Sequence, residues 1–222
     1  MKIVLTGASG FLGGEVLAQA LADPSIDEVL VLTRRPTGTT HAKLKERILD
    51  DFCDYSTVDF APYDACIWAL GVSQTSVKKD AYIRITYDFP IAAARAMLAA
   101  RPDIRFCFVS GRSADPDERS KQLFARIKGR AERALNELSP NVHSFRPGYI
   151  RPTKKSGPRK DIARYFSPIG TLIGLWNSNL IIDCDHLAAC LLDVAAHGTN
   201  EHVLENQALK AWAFEARRSR SV

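Results

Sequence analysis

No CxxC pair occurs in the chain, and its five cysteines, Cys53, Cys66, Cys107, Cys184 and Cys190, are scattered and odd in number. Such spacing argues against a disulfide framework and against a zinc site, so no metal is expected. Cys66 and Cys107 lie inside apolar runs and read as small core residues; the expected compartment is reducing, and hence cytoplasmic. Long apolar runs are also missing. The longest, Ile169 to Ile182, is interrupted by Asn177, Ser178 and Asn179 and is too polar to span a bilayer. The first β-like run begins at Lys2 with no basic and apolar leader before it, so a secretory signal is not expected. Internal repeats and low-complexity tracts are absent.

What remains is ordinary globular composition. Over 222 residues, 46% are hydrophobic and 25% charged, enough for one packed α/β core and too little bias for disorder. The net charge of +5 permits nucleic-acid binding without demanding it. The basic run Lys154 to Arg164 carries no interleaved aromatics, so neither a nucleic-acid nor a membrane partner is expected.

Apolar, β-branched runs alternate with helical patterns. Strands are expected at Lys2–Thr6, Glu28–Thr33, Arg47–Phe52, Ala65–Leu70, Arg105–Ser110 and Val142–Arg146, and weakly at His202–Leu204. Phe11, Leu12, Val16, Leu17, Ala20 and Leu21 repeat at helical spacing up to Asp23-Pro24. Further helices are expected over Ala81–Ala100, about Arg119–Leu138, and Asp185–Ala196. Pro90, inside the second of these four, should kink that helix or mark its true start. Alternation of this kind implies parallel strands joined by right-handed helical crossovers.

The sharpest motif is Thr6-Gly7-Ala8-Ser9-Gly10-Phe11-Leu12-Gly13-Gly14, between the first strand and the first helix. Gly7 and Gly10 permit a tight turn and close approach of a pyrophosphate, Gly13 lets helix pack on strand, and the helix N-terminus faces the phosphates. A fold specific for NAD usually ends its second strand in a ribose-binding carboxylate; here the chain reads Thr33-Arg34-Arg35. Guanidiniums there suit a 2′-phosphate, with Ser9 placed to add a hydroxyl, so NADP(H) is preferred and NAD(H) possible. The alternative is a pair of solvated surface arginines. Asp51, beside Asp50 at the expected end of the third strand, is a candidate acceptor for the adenine amino group or a plain loop carboxylate. Ala69, Leu70 and Gly71 end the fourth strand with room for a ribose, or simply turn the chain.

TGASGFLG, WALG at Trp68–Gly71, FVSG at Phe108–Gly111, KG at Lys128-Gly129 and FRPG at Phe145–Gly148 together resemble the atypical short-chain dehydrogenase/reductase superfamily. The chain looks most like its Tat-interacting-protein-like, NADP(H)-binding oxidoreductase group, and the resemblance extends to Val203–Asn206. It implies a Rossmann-type, doubly wound parallel sheet of order about 3-2-1-4-5-6 within a single domain, residues 1–215. A small substrate-side lobe at about 151–180 and a basic tail at 216–222 complete the expected layout. It also implies that Ser110 polarises a substrate carbonyl, that Lys128 binds ribose and lowers a tyrosine's pKa, and that Pro147 lies near the nicotinamide.

Two positions depart from that pattern. The tyrosine expected four residues before Lys128 is Phe124, and the chain has no tyrosine between Tyr87 and Tyr149. The asparagine that many relatives carry in the preceding helix corresponds to Thr86. Loss of a general acid typically costs ~10²–10⁴ in rate. Tyr149 is the leading substitute donor, or else a wall of the substrate pocket, with Tyr82 and Tyr87 behind it. His143, within a strand, reads as a satisfied histidine rather than a proton relay. A tyrosine restored at 124 is expected to aim its hydroxyl toward Lys128. Two functions follow: a reductase of a small carbonyl compound with an atypical site, or a dinucleotide-binding sensor or scaffold without turnover.

Overall fold

The structure, a computed structural model, describes residues 1–152 and 180–219. Seven strands form one sheet: β1 (Lys2–Thr6), β2 (Glu28–Thr33), β3 (Leu44–Ile48), β4 (Ala65–Trp68), β5 (Arg105–Val109), β6 (Val142–Arg146) and β9 (Val203–Glu205). Their spatial order is β3-β2-β1-β4-β5-β6-β9, and every neighbouring pair is parallel. This is the doubly wound order expected from the sequence, extended by one strand. The order reverses between β1 and β4, the topological switch point at which open α/β sheets bind ligands. A separate two-stranded parallel sheet pairs β7 (Tyr149–Arg151) with β8 (Ile181–Asp183).

Successive strand residues face opposite layers, and the core divides accordingly. Ile3, Leu5, Val29 and Val31 meet Val16, Leu17 and Ala20 of α1 (Phe11–Ala22) and Leu187, Leu191 and Ala195 of α5 (Cys184–His197). On the other face, Val4, Leu32, Trp68, Phe106 and Phe108 meet Ala94 and Met97 of α3 (Phe89–Ala100) and Ala131 and Leu135 of α4 (Leu123–Leu138). Each such valine, leucine, isoleucine, phenylalanine or methionine side chain, fully buried, contributes roughly 1.5–3 kcal/mol. Cys66 and Cys107 are buried on opposite faces, as small core residues.

Of the expected elements, three differ most. Strand β3 lies at Leu44–Ile48 rather than Arg47–Phe52, because pairing with β2 runs from Val29↔Leu44 to Thr33↔Ile48; Leu49 and Phe52 reach the core from the loop beyond. The helix expected at Ala81–Ala100 starts as α2 (Lys79–Ile83), passes through a π-helical turn at Arg84–Asp88, and resumes as α3 with Pro90 in its first turn. The Phe89 amide bonds back to the Arg84 carbonyl, five residues away. Ile83, Arg84, Asp88 and Phe89 all keep right-handed helical backbone, so the helix runs through without a break and the π turn directly precedes the point where proline's missing N–H interrupts the ladder. Helix α4 begins at Leu123 rather than about Arg119. Asp115 accepts from the amides of Asp117 and Ser120 at 3.1 and 2.6 Å, drawing that stretch into a turn in which Glu118 has φ 59°.

Helix α6 (Asn206–Ser219), which was not anticipated, runs directly from β9 and includes part of the stretch read as a tail. Most of the expected substrate-side lobe, 153–179, lies outside the described residues.

Candidate active site

The β1–α1 turn is a backbone cradle. Gly7 has φ +72°, and a Cβ there would fall 2.5 Å from the Ala69 carbonyl oxygen. A Cβ on Gly13 would collide with the Gly7 carbonyl. The Gly10 amide donates to the Gly7 carbonyl at 2.8 Å, and the Leu70 amide to Thr6 Oγ1 at 3.2 Å. Gly7, Gly13, Ala69 and Leu70 are thus brought into one tight junction at the switch point, with Ser9 and Gly10 exposed beside it, Phe11 half-buried and Leu12 buried. Gly71 is exposed just beyond.

Arg34 and Arg35 follow β2, whose Leu32 pairs with Thr6, so they stand at the strand edge adjoining the glycine turn. Both are exposed, and neither guanidinium has a hydrogen bond or ion pair among the described residues. Thr33 Oγ1 donates to the Arg35 carbonyl at 2.7 Å and fixes the turn. Asp51 lies beyond β3 rather than at its end, and Arg84 Nη2 donates to both of its oxygens at 3.0 and 2.9 Å.

Ser110 follows β5. Its amide donates to the Phe145 carbonyl at 2.8 Å, while its Oγ is buried with no hydrogen-bond partner among the described residues. One residue back, the Val109 carbonyl accepts from Lys128 Nζ at 2.8 Å, and that ammonium lies 4.6 Å from the Phe108 ring centroid. Burial pushes the Lys128 ammonium down to about 8, with Glu132 pulling the other way. The Phe124 ring abuts Gly111, and its amide donates to Gln74 Oε1 at 3.0 Å, joining the loop after β4 to the start of α4.

The RPG turn completes the edge. Pro147 is buried and its carbonyl accepts from the Arg112 amide at 3.1 Å; the Gly148 amide donates to Asn206 Oδ1 at 2.7 Å. Tyr149 opens β7, half-buried; it makes no hydrogen bond with Ser110 Oγ. His143 is buried and bonded to the Glu201 carbonyl at 3.0 Å, and burial lowers its pKa. Tyr82 and Thr86 are both buried in the α2–π segment. Asp183, Asp185 and His186 lie within 4.8 Å of one another, but Arg151 occupies Asp183 at 2.6 and 3.0 Å.

Sequence reasoning missed the roles of five residues. Glu132 and Arg146 form a buried ion pair behind Lys128, with Glu205 attached to it. Gly111 is held small by Phe124, and Gln74 reaches across to α4. The signal for the first was a carboxylate one helical turn after Lys128.

Residues 3–160 match the NAD dependent epimerase/dehydratase family, and the chain belongs to it. The fold is similar to that of the WbmF enzyme of Bordetella bronchiseptica in complex with NAD+ and UDP, at a TM-score of 0.69, 13% identity, and coverage of 92% of this chain and 71% of that one. A short-chain dehydrogenase/reductase superfamily protein from Agrobacterium tumefaciens with bound NAD gives 0.63, 17%, 91% and 76%. Leucinostatins biosynthesis cluster protein T of Purpureocillium lilacinum is 30% identical over 143 residues, which are 62% of this chain and 52% of that protein. The chain therefore spans about half the length of that relative. The superfamily resemblance carried by the sequence motifs holds. Among the described residues no helix is long and apolar enough to cross a membrane.

Proposed function

We propose that this chain binds a nicotinamide dinucleotide at the C-terminal ends of β1, β2 and β4, NADP(H) in preference to NAD(H). The carrying observation is the Gly7–Gly13 cradle, where one added carbon at Gly7 or Gly13 would meet backbone; such a loop suits close approach of a pyrophosphate. Gly7, Ser9, Gly10, Phe11, Leu12 and Gly13 would hold the pyrophosphate, and Ala69, Leu70 and Gly71 the adjoining ribose. The solved relatives named above are NAD complexes. The two exposed guanidiniums of Arg34 and Arg35 turn the reading here to the 2′-phosphate. Asp51 keeps lone pairs beyond its bonds to Arg84 and stays the candidate for the adenine amino group.

Bound nicotinamide supplies a hydride donor or acceptor. The Ser110 hydroxyl, without a hydrogen-bond partner among the described residues, is suited to polarise the carbonyl of a small substrate, Lys128 to hold ribose, and Pro147 to wall the nicotinamide. Tyr149 is the candidate to hold the proton. Phe124 favours a second reading, a dinucleotide-binding sensor or scaffold that has lost turnover. The proposal includes no nucleic-acid or membrane partner and a cytoplasmic setting, in keeping with five free cysteines, four of them buried.

NADPH at a hundredfold excess over its Kd should stabilise the fold by ~2.7 kcal/mol, or ~5–10 °C in Tm for this length. Absence of a shift with either dinucleotide would overturn the proposal. Oxidation of NADPH over a panel of aldehydes and ketones separates reductase from sensor.

A further inference from the structure

Behind Lys128 the chain buries a carboxylate. Glu132 is 1% exposed, and Arg146 donates to both of its oxygens, from Nε at 3.0 and 3.1 Å and from Nη2 at 2.5 Å. The remaining arm, Nη1, donates to Glu205 at the end of β9 at 2.9 Å. Burying such a pair costs several kcal/mol per ion, and a well-packed apolar pair often stabilises as much. Stability alone is therefore a weak reason for it.

Its placement offers a better one. Lys128 and Glu132 are i, i+4 neighbours on one face of α4. Among the described residues Lys128 Nζ has one hydrogen-bond acceptor, the Val109 carbonyl, so Glu132 is the carboxylate that offsets its burial. Arg146 immediately precedes Pro147, and Glu205 immediately precedes Asn206, which binds the Gly148 amide. One guanidinium thus joins α4, the RPG turn and the β9–α6 junction.

We infer that Glu132, anchored by Arg146, is the positioning device of the dinucleotide site: its carboxylate favours the charged form of Lys128, and its bonds to Arg146 fix Lys128 relative to the Pro147–Gly148 turn. The inference rests on the reading of Lys128 as a cofactor-binding residue. The charged neighbour of Lys128 is Glu132 on α4; Arg146 of β6 bonds to Glu132 and Glu205 of β9 to Arg146, while among the described residues β5 presents the Val109 carbonyl and the Phe108 ring.

The test is the Kd of NADPH measured from about pH 6 to about pH 10, spanning the Lys128 titration. In the wild type, affinity should fall as pH rises through about 8. Glu132→Gln should move that midpoint down by about one pH unit or more, since an opposite charge at such range favours the charged form. Arg146→Gln, which frees the Glu132 charge, should move it up, and Glu205→Gln should leave it in place. A loss of affinity in Glu132→Gln that is uniform across pH would mean a merely structural pair and overturn the inference. If Glu132→Gln does not fold, the direction of the Arg146→Gln shift decides.

Failure of the wild type to bind NADPH would defeat the dinucleotide reading instead. The inference is then read without cofactor, from the stability difference between wild type and Lys128→Met against pH, with and without Glu132→Gln. An acid edge that stays in place on adding Glu132→Gln would overturn it.

Discussion

The tip of the Phe124 ring stands where a side chain on Gly111 would begin. A Cβ built on Gly111 would lie 2.6 Å from Cζ and 3.3 and 3.7 Å from Cε1 and Cε2. Those three distances put the point nearly on the line along which a tyrosine hydroxyl would project. Gly111 directly follows Ser110, so this contact closes one side of the site and ties the residue at 124 to the residue at 111.

Gly111→Ala should therefore destabilise the protein by about 1–3 kcal/mol, the usual cost of overpacking. In a Phe124→Leu background, where the ring tip is gone, most of that cost should vanish. The coupling is read by a double-mutant cycle in denaturant, and contacting residues typically show about 0.5–3 kcal/mol. Additive losses would show that the two residues do not share the space.

The same geometry corrects the expectation that a phenol at 124 would simply aim at Lys128. In Phe124→Tyr the hydroxyl would press on the Gly111 backbone unless the ring swings away. The variant should lose a few °C in Tm and retain NADPH affinity. Its turnover on small aldehydes and ketones should rise far less than the ~10²-fold or more that a well-placed general acid contributes. A gain of that size, with unchanged Tm, would show that the ring moves freely and that the site accepts the donor.

Arg34 and Arg35, exposed beside the glycine turn, should decide the cofactor. Replacing both with alanine should weaken NADPH far more than NADH, each lost charge-assisted contact being worth about 1.5–3 kcal/mol, or roughly tenfold to a hundredfold. Calorimetric titration with the two dinucleotides measures it. Equal losses for both would mean that the arginines are solvated surface charges.

The parts of this molecule that were legible in the sequence are those in which a residue's own chemistry dictates its place. Alternating apolar residues in β1, β2, β5 and β6 had to face two buried layers, and the Gly7–Gly13 spacing had to bring backbone close to backbone. Strand β3 was misplaced because its residues, Lys45, Glu46 and Arg47 among them, are mostly exposed. Backbone pairing to β2 holds that strand, whereas the apolar Leu49 and Phe52 that drew attention serve the core from a loop. The π-helical turn directly before Pro90 leaves no trace in the apolar periodicity. The Glu132–Arg146 pair carries no local signature, because the partnership spans 14 positions and exists only once α4 packs on β6. The Phe124–Gly111 contact was hidden for the same reason.

Lys128 should cost the fold stability at neutral pH, and that cost should have a defined pH window. Its ammonium is lowered from 10.5 in the open chain to about 8 in the fold, chiefly by burial. Between those values the unfolded chain binds the proton and the folded one does not, so stability rises with pH across that interval. Below about 8 both states are protonated and the penalty is complete, on the order of 3 kcal/mol at about 1.4 kcal/mol per pH unit. Lys128→Met keeps the bulk of the side chain and removes the buried charge, but it forfeits the hydrogen bond to the Val109 carbonyl, worth about 1 kcal/mol. The variant should thus be more stable than wild type at pH 7 by about 1–2 kcal/mol, or ~2–8 °C in Tm at this length. The advantage should shrink as pH rises above about 8 and be gone by about 10.5. NADPH affinity should move the opposite way, weaker in Lys128→Met at pH 7, because the cation that grips the ribose has been removed. Denaturant melts across pH, with NADPH titrations at pH 7, measure both. A variant less stable than wild type at pH 7, with unchanged affinity, would show that Lys128 serves the fold and not the cofactor.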